Sequence, residues 1–536
     1  MSHDAEPLTL HQHRVEALRR ALPGPTQVLH THISTLLLSG DFAYKLRKPL
    51  TLAFLDFATP EQRRADCEAE LRLNRRTAPD LYLDVLPVYG PEEHAHLAAD
   101  GETSDAQASN VPVVDWVLRM RRFDNGLLLD RLAAIGELTD AHIDALASTV
   151  AAFHSALPPS PPGFGDPHEV LQRALDNLDT VEDSQAGERH RALLRTLRQW
   201  TLEEFGSIEA LLAERRALGF VREGHGDLHL GNIVLIAGEP TPFDALEFNE
   251  GLRHGDLMSD SAFTFMDLAR HGLTEQAWRF VNQYVEHSGD VQGVVLLPFF
   301  AVYRAMVRAK VAMLRGAQAP AESADATRAL DALDRDLHLA LQLTQLRQAR
   351  PWLVATSGVS GSGKSTVALA LAESLGGIRL RSDVERKRLH GLRPTDRPGA
   401  MLVPMLYSRE ATALTYSRLA QLARMLLAAG RPVIVDSAAL LRRERDALRA
   451  LAASSGSRFA LVVCDAPESV LRERIARRGE TESDPSDATE QVLAHQQIFR
   501  EPVSPEEAAI IVQTDAPAAL VRASLVGRLA LATAAQ

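Results

Sequence analysis

Eight consecutive residues, Gly358-Val359-Ser360-Gly361-Ser362-Gly363-Lys364-Ser365, match the pattern G-x-x-x-x-G-K-[ST] in full, a spacing suited to holding phosphate groups. Glycines let a backbone wrap phosphate oxygens, and successive N–H groups at a helix N-terminus attract negative charge. Lys364 would reach the β/γ oxygens, and the Ser365 hydroxyl would ligate Mg²⁺. An apolar strand pattern at 353–356 precedes the loop and a helical pattern at 366–375 follows it, which is the context such a loop needs. Gly358, Gly361, Ser362, Gly363, Lys364, Ser365 and Thr366 therefore form a candidate ATP site.

Other residues could complete that site. Asp436 ends the apolar run 433–435, either as a carboxylate holding Mg²⁺ through water or simply as a strand-ending Asp. Asp383, at the carboxyl end of another strand, lies on the edge where open α/β sheets bind ligands. It could take a proton from a substrate hydroxyl, or cap a helix. Arg474, Arg477 and Arg478 share one helical run before the polar stretch 479–487. They read as a lid closing on phosphates or as a solvated helix face.

A second constellation lies upstream. In His225-Gly226-Asp227-Leu228-His229-Leu230-Gly231-Asn232 a carboxylate precedes an amide by five residues. The catalytic loop of protein kinases has that spacing, with the Asp as base and the Asn on Mg²⁺. Asp244 follows Pro242-Phe243 after a strand and turn, where a metal-holding carboxylate would complete the set. His229 reads as a hydrogen-bonded loop residue, and zinc is not expected because no helical pattern joins His225 to His229.

The elements that position these residues fall in two stretches. The first quarter reads as short strands at 26–31, 35–39, 42–47, 85–89 and 113–120, with one helix at 60–77 opened by Thr59 and Pro60. Residues 168–348 are mostly helical, interrupted by short apolar runs at 233–236 and 242–248. Strands at 352–357, 378–382, 432–436, 459–464 and 509–513 then alternate with helices, which predicts a parallel sheet. A boundary near 350 divides the chain into domains 1–349 and 350–536.

Composition bounds the rest. The 536 residues predict two to four domains at roughly 100–200 residues each. A net charge of −12 argues against a general binder of nucleic acid or anionic membrane. Two distant cysteines rule out a disulfide framework, the start lacks a signal-peptide pattern, and no apolar run is long enough to span a membrane. A cytoplasmic protein is expected.

Residues 352–513 resemble the small P-loop, AAA-type kinase-like family that includes zeta-toxin and gluconate-kinase-type proteins. The resemblance rests on the loop, on Ser382-Asp383-Val384-Glu385-Arg386-Lys387, on 407–416 and 433–436, and on Cys464-Asp465-Ala466-Pro467 leading to Arg474. It implies Asp383 and Arg386 near the phosphoryl acceptor. Ser437-Ala438-Ala439 departs from the Ala-Thr-Phe often found there, which bears on acceptor choice.

Residues 25–315 resemble aminoglycoside-phosphotransferase-like kinases. The carrying segments are Thr31-His32-Ile33-Ser34-Thr35, Ala43-Tyr44-Lys45-Leu46-Arg47-Lys48-Pro49, Phe54-Leu55-Asp56-Phe57 and Phe243-Asp244-Ala245-Leu246-Glu247-Phe248-Asn249. The fold implied is an α+β bilobal protein-kinase-like domain, followed here by an α/β P-loop NTPase domain with a parallel sheet. Lys45 would grip the α/β-phosphates with Glu70 as its ionic partner, Lys48 being the rival lysine. No G-x-G-x-x-G loop covers the first strands, and no acidic cluster marks an aminoglycoside cleft.

The expected function is an ATP-dependent phosphotransferase with two ATP/Mg²⁺ sites acting on hydroxyls of small molecules. The alternative is a regulatory ATPase or adaptor in which one half controls the other.

Overall fold

In the computed structural model, the described residues are 5–52, 55–97, 112–184, 187–320, 322–397, 399, 402–480, 485–486, 489–516, 525 and 527–528, with the side chains of 5, 6, 52, 55, 403 and 478–480 outside that description. The chain divides into two units. One comprises Met1–Leu138, Ala156–Asp166 and Ala213–Asp260, the other Thr139–Ser155, Pro167–Leu212 and Ser261–Gln536.

The first unit is organised by a six-stranded antiparallel sheet in the order Thr26–His30, Ser34–Ser39, Phe42–Arg47, Val113–Arg121, Tyr82–Tyr89, His96–Leu97. Successive side chains of a strand point to opposite faces. Along Phe42–Arg47, Tyr44 and Leu46 therefore enter a core with Val15, Leu18, Leu37 and Val117. Lys45 and Arg47 take the other face, where the helix Pro60–Asn74 presents Glu70. Thr59 opens that helix through a capping box with Gln62, and Pro60 suits its first turn.

One expectation is corrected. The first quarter holds a second helix, Ala5–Ala21. Its buried face includes His11 and Arg14 beside Val15 and Leu18, so polar residues interrupt the apolar stripe and conceal the helical period. His11 Nε2 meets Thr35 Oγ1 at 3.0 Å, and Arg14 pairs with the buried Asp115. Within the apolar run 242–248, only Pro242 belongs to a strand. Ile233–Ile236 pairs with Glu239–Pro242, after which the chain turns with Asp244 at φ +59°, a left-handed backbone uncommon outside glycine and concentrated at functional sites.

The second unit contains a wholly parallel sheet in the order Ile378–Arg381, Val433–Asp436, Trp352–Ser357, Arg458–Asp465, Ile510–Gln513. Its core joins Val354, Ile434 and Val462 to Val367 and Leu371 of the helix Lys364–Leu375. The central strand feeds directly into the glycine-rich loop. At Gly361 the backbone has φ +82°, and an added Cβ would meet the Leu471 carbonyl oxygen at 2.7 Å, so the packed loop has no room for a side chain. The helix Thr274–Ser288 covers the outer edge of Ile378–Arg381. Asn282 Nδ2 donates to the Gly377 carbonyl at 2.9 Å, while its Oδ1 accepts from Arg379 N at 2.7 Å, satisfying groups that an open sheet edge would leave unpaired. No described helix is long and apolar enough to cross a membrane.

Candidate active sites

In the first unit, Lys45 Nζ lies 2.8 Å from Glu70 Oε1 and 3.0 Å from Asp244 Oδ1. Burial alone would lower the lysine, but the Asp244 and Glu70 carboxylates hold it above the usual lysine range. Burial works against a charged Asp244 as well, and the Lys45 ammonium prevails, keeping that carboxyl below its ordinary range. The Asp244 N–H donates to the Tyr82 hydroxyl at 3.0 Å and the Ala245 N–H to Asn74 Oδ1 at 2.8 Å. The turn is thereby fixed from both sides. Lys48 lies elsewhere, its Nζ on the Thr31 carbonyl, so Lys45 is the lysine that meets Glu70.

The loop 225–232 is held from below. Asp260 accepts from the His225 N–H at 2.6 Å and the Gly226 N–H at 3.0 Å. The buried His225 donates from Nε2 to the Phe243 carbonyl, 3.0 Å away, linking the loop to the residue before Asp244. Asn232 Nδ2 donates to Asp227 Oδ2 and to the Asp227 carbonyl, both at 3.0 Å. His229 Nδ1 accepts from the Gly231 N–H at 3.1 Å. Its role as a hydrogen-bonded loop residue matches the expectation.

Sequence reasoning missed Arg47, Asp260, Tyr82 and Asn74. Arg47 is buried among three carboxylates: Asp66 at 2.5 Å, Glu70 at 2.6 Å and Glu247 at 2.5 Å. It lies in a segment already singled out, but a strand arginine beside a lysine carries no local sign of burial.

In the second unit, Lys364, Ser365, Arg381, Asp383, Asp436 and Gln496 line one pocket. Lys364 Nζ rests on the Val359 carbonyl at 2.8 Å. Gln496 Oε1 accepts from the Ser360 N–H at 2.7 Å and its hydroxyl at 2.9 Å, on a loop whose donors suit phosphate. Asp436 Oδ2 is buried without a hydrogen-bond donor, with Arg381 Nε 3.4 Å away. Asp383 lies inside the helix Ser382–Leu389, whose N-cap is Arg381, which removes the capping alternative. Burial raises the Asp383 carboxyl, Arg381 pulls it back, and neighbouring Asp436 adds to the rise.

The arginines divide. Arg474 Nη1 donates to the Gly361 carbonyl at 3.2 Å and Nη2 to the Thr514 carbonyl at 2.7 Å, so it braces the loop from behind. Arg477 is not brought to the pocket: it is 72% exposed and pairs with Glu473 one turn away, the solvated-face arrangement. The Arg478 side chain and most of 479–487 lie outside the described residues. Arg386 donates to the Leu406 carbonyl at 2.8 Å and lies over the Tyr407 ring, anchoring that segment beside the pocket.

Both donor sets suit Mg²⁺. Asn232 with Asp244, and Ser365 with Asp436, supply hard oxygens in small number, as expected for a cation that keeps waters and takes phosphate oxygens. Among the described residues no group of three His, Cys, Asp or Glu side chains could hold a metal ion.

Residues 353–503 match the family model of an AAA domain. Among solved structures, a gluconokinase from Sinorhizobium meliloti 1021 is 25% identical, covering 34% of this chain and 98% of its own, with a TM-score of 0.25. A choline/ethanolamine kinase family protein from Mesorhizobium loti is 11% identical, covering 63% of this chain and 99% of its own, with a TM-score of 0.38. The uncharacterized protein Rv2004c of Mycobacterium tuberculosis and the uncharacterized protein Mb2027c of Mycobacterium bovis are each 33% identical over 478 residues, covering 87% of this chain and 88% of theirs. The chain belongs to the family of these mycobacterial proteins, with an α+β part built on an antiparallel sheet followed by an α/β part built on a parallel sheet.

Proposed function

We propose that this chain is an ATP-dependent phosphotransferase with two ATP/Mg²⁺ sites, one in domain 1–349 and one in domain 350–536, each serving a hydroxyl group of a small molecule. The observation that carries the reading is the convergence of Lys45, Glu70 and Asp244, beside a loop in which Asn232 is bonded to Asp227. Phosphoryl transfer needs little covalent help from a protein, and positioning with charge stabilisation supplies most of the catalysis. Lys45, oriented by Glu70, binds the α/β-phosphates. Asp227 orients the acceptor hydroxyl and takes its proton, while Asn232 and Asp244 hold Mg²⁺. In the second site, Lys364 and the loop N–H groups from Gly361 to Ser365 bind the phosphates, and Thr366 follows in the first helical turn. Ser365 and Asp436 hold Mg²⁺, and Asp383 accepts the acceptor proton. Gly358 and Arg474 shape the loop. When bound, Mg²⁺ neutralises charge on the transferring phosphoryl group. The division near 350 is supported by the AAA match beginning at residue 353.

ADP release from ATP/Mg²⁺, with pooled sugars, polyols, nucleosides and aminoglycosides, tests this reading. One pool should raise release, and Asp227→Asn or Lys364→Ala should abolish that rise at its own site, by about 10²-fold or more for loss of the base. Release indifferent to every pool would favour the regulatory ATPase instead.

A further inference from the structure

Glu286 lies near the C-terminal end of the helix Thr274–Ser288. It is mostly buried, at 11% side-chain exposure, and accepts from two arginines: Arg379 Nη2 at 2.5 Å and Arg381 Nη1 at 2.7 Å. These arginines are two apart on one strand, so they share a face. Each has a second partner. Arg379 Nη1 donates to the carbonyl of Ser365 at 3.1 Å, and Arg381 Nε lies 3.4 Å from Asp436 Oδ2. Ser365 and Asp436 are the two groups assigned to Mg²⁺ above.

The arrangement has an electrostatic consequence. Without Glu286, the two guanidinium groups would repel each other across the strand, and Arg381 would turn fully to Asp436. A carboxylate engaged by arginine is a poor ligand, because a cation must displace the guanidinium first. Glu286 holds Arg381 through Nη1, and Arg381 Nε stays 3.4 Å from Asp436 Oδ2. It also fixes Arg379 on the backbone of the residue whose hydroxyl is assigned to the cation. Outer partners of this kind orient the groups that touch a metal.

We propose that Glu286 is a positioning residue for the Mg²⁺ site of the P-loop domain, restraining Arg381 from Asp436 and holding Arg379 on Ser365. The proposal rests on the reading of 358–365 as an ATP loop. It also implies that a helix outside the P-loop segment sets the metal requirement of the P-loop site.

The test is binding of a fluorescent ATP analogue to the full chain, in EDTA and across a Mg²⁺ titration, scored as the part of the signal that Lys364→Ala abolishes. Glu286→Gln should leave affinity in EDTA within about twofold of wild type and raise the Mg²⁺ concentration for half-maximal tightening by about tenfold. Adding Arg381→Gln removes the competing cation and should bring that concentration back toward wild type, a rescue that a merely structural role would not give. An unchanged Mg²⁺ requirement in Glu286→Gln overturns the proposal while the ATP loop stands. Equal losses in EDTA and Mg²⁺ with a lowered Tm overturn it too, making Glu286 a packing residue. A signal that Lys364→Ala leaves intact removes the ATP-loop reading, and the proposal with it.

Discussion

Lys45 and Arg47 sit two positions apart on one strand and share Glu70, but their surroundings differ. Lys45 faces Asp244, whose side chain is 44% exposed, whereas Arg47 is enclosed with Asp66, Glu70 and Glu247. Removing one partner from a buried ion network leaves its counter-charges uncompensated. Arg47→Met should therefore cost about 3–5 kcal/mol in urea unfolding, and a loss below about 1 kcal/mol would show that the carboxylates relax freely. The residues that carry motifs were readable one by one: Asp227, Asn232, Asp244 and Lys364 announce themselves by spacing. Arg47 and Asp260 do not, because their roles depend on partners 19 to 200 positions away in sequence. Asp260 reaches the amide of His225, and Arg47 reaches Glu247, and nothing local to either residue signals those contacts.

At the scale of elements, strands were the most legible. Four of the five parallel strands are largely buried, Ile510–Gln513 being the exception, and short apolar runs between helical patterns locate all five within a residue or two. The helix Ala5–Ala21 was not legible, since its inner face is partly His and Arg paired across the sheet. Elements of the first unit are also tied by charge. Glu223, on the strand Val221–Glu223, pairs with Arg72 of the helix Pro60–Asn74 and with Arg253, each at 2.9 Å. Burial opposes its charge, but hydrogen bonds from Arg72 and Arg253 lower the carboxyl from 4.5 to about 2. A carboxyl lowered on folding stabilises above its unfolded pKa, and that stability is lost as pH falls through the folded one. The wild type should therefore lose stability between pH 4.5 and about 2, and Glu223→Gln should flatten that limb in urea titrations. A limb of unchanged slope would mean that other carboxylates dominate there.

At the scale of the whole chain, the proposed function joins two ways of gripping nucleotide phosphates. One uses a strand lysine oriented by a helix glutamate, with a turn carboxylate beside it; the other uses backbone N–H groups at a helix N-terminus. Polar contacts hold the loop in each half: Asp260 holds 225–232, and Arg474 braces Gly361. What neither half displays in its sequence is an acceptor pocket, because acceptor recognition depends on side chains that converge from several elements without a fixed spacing. The central claim is that both halves bind nucleotide. Calorimetric titration of the full chain with a non-hydrolysable ATP analogue and Mg²⁺ tests it directly. Two analogues per chain, falling to one in Lys364→Ala, is the expected result; a single analogue per chain whose binding Lys364→Ala leaves untouched would contradict it.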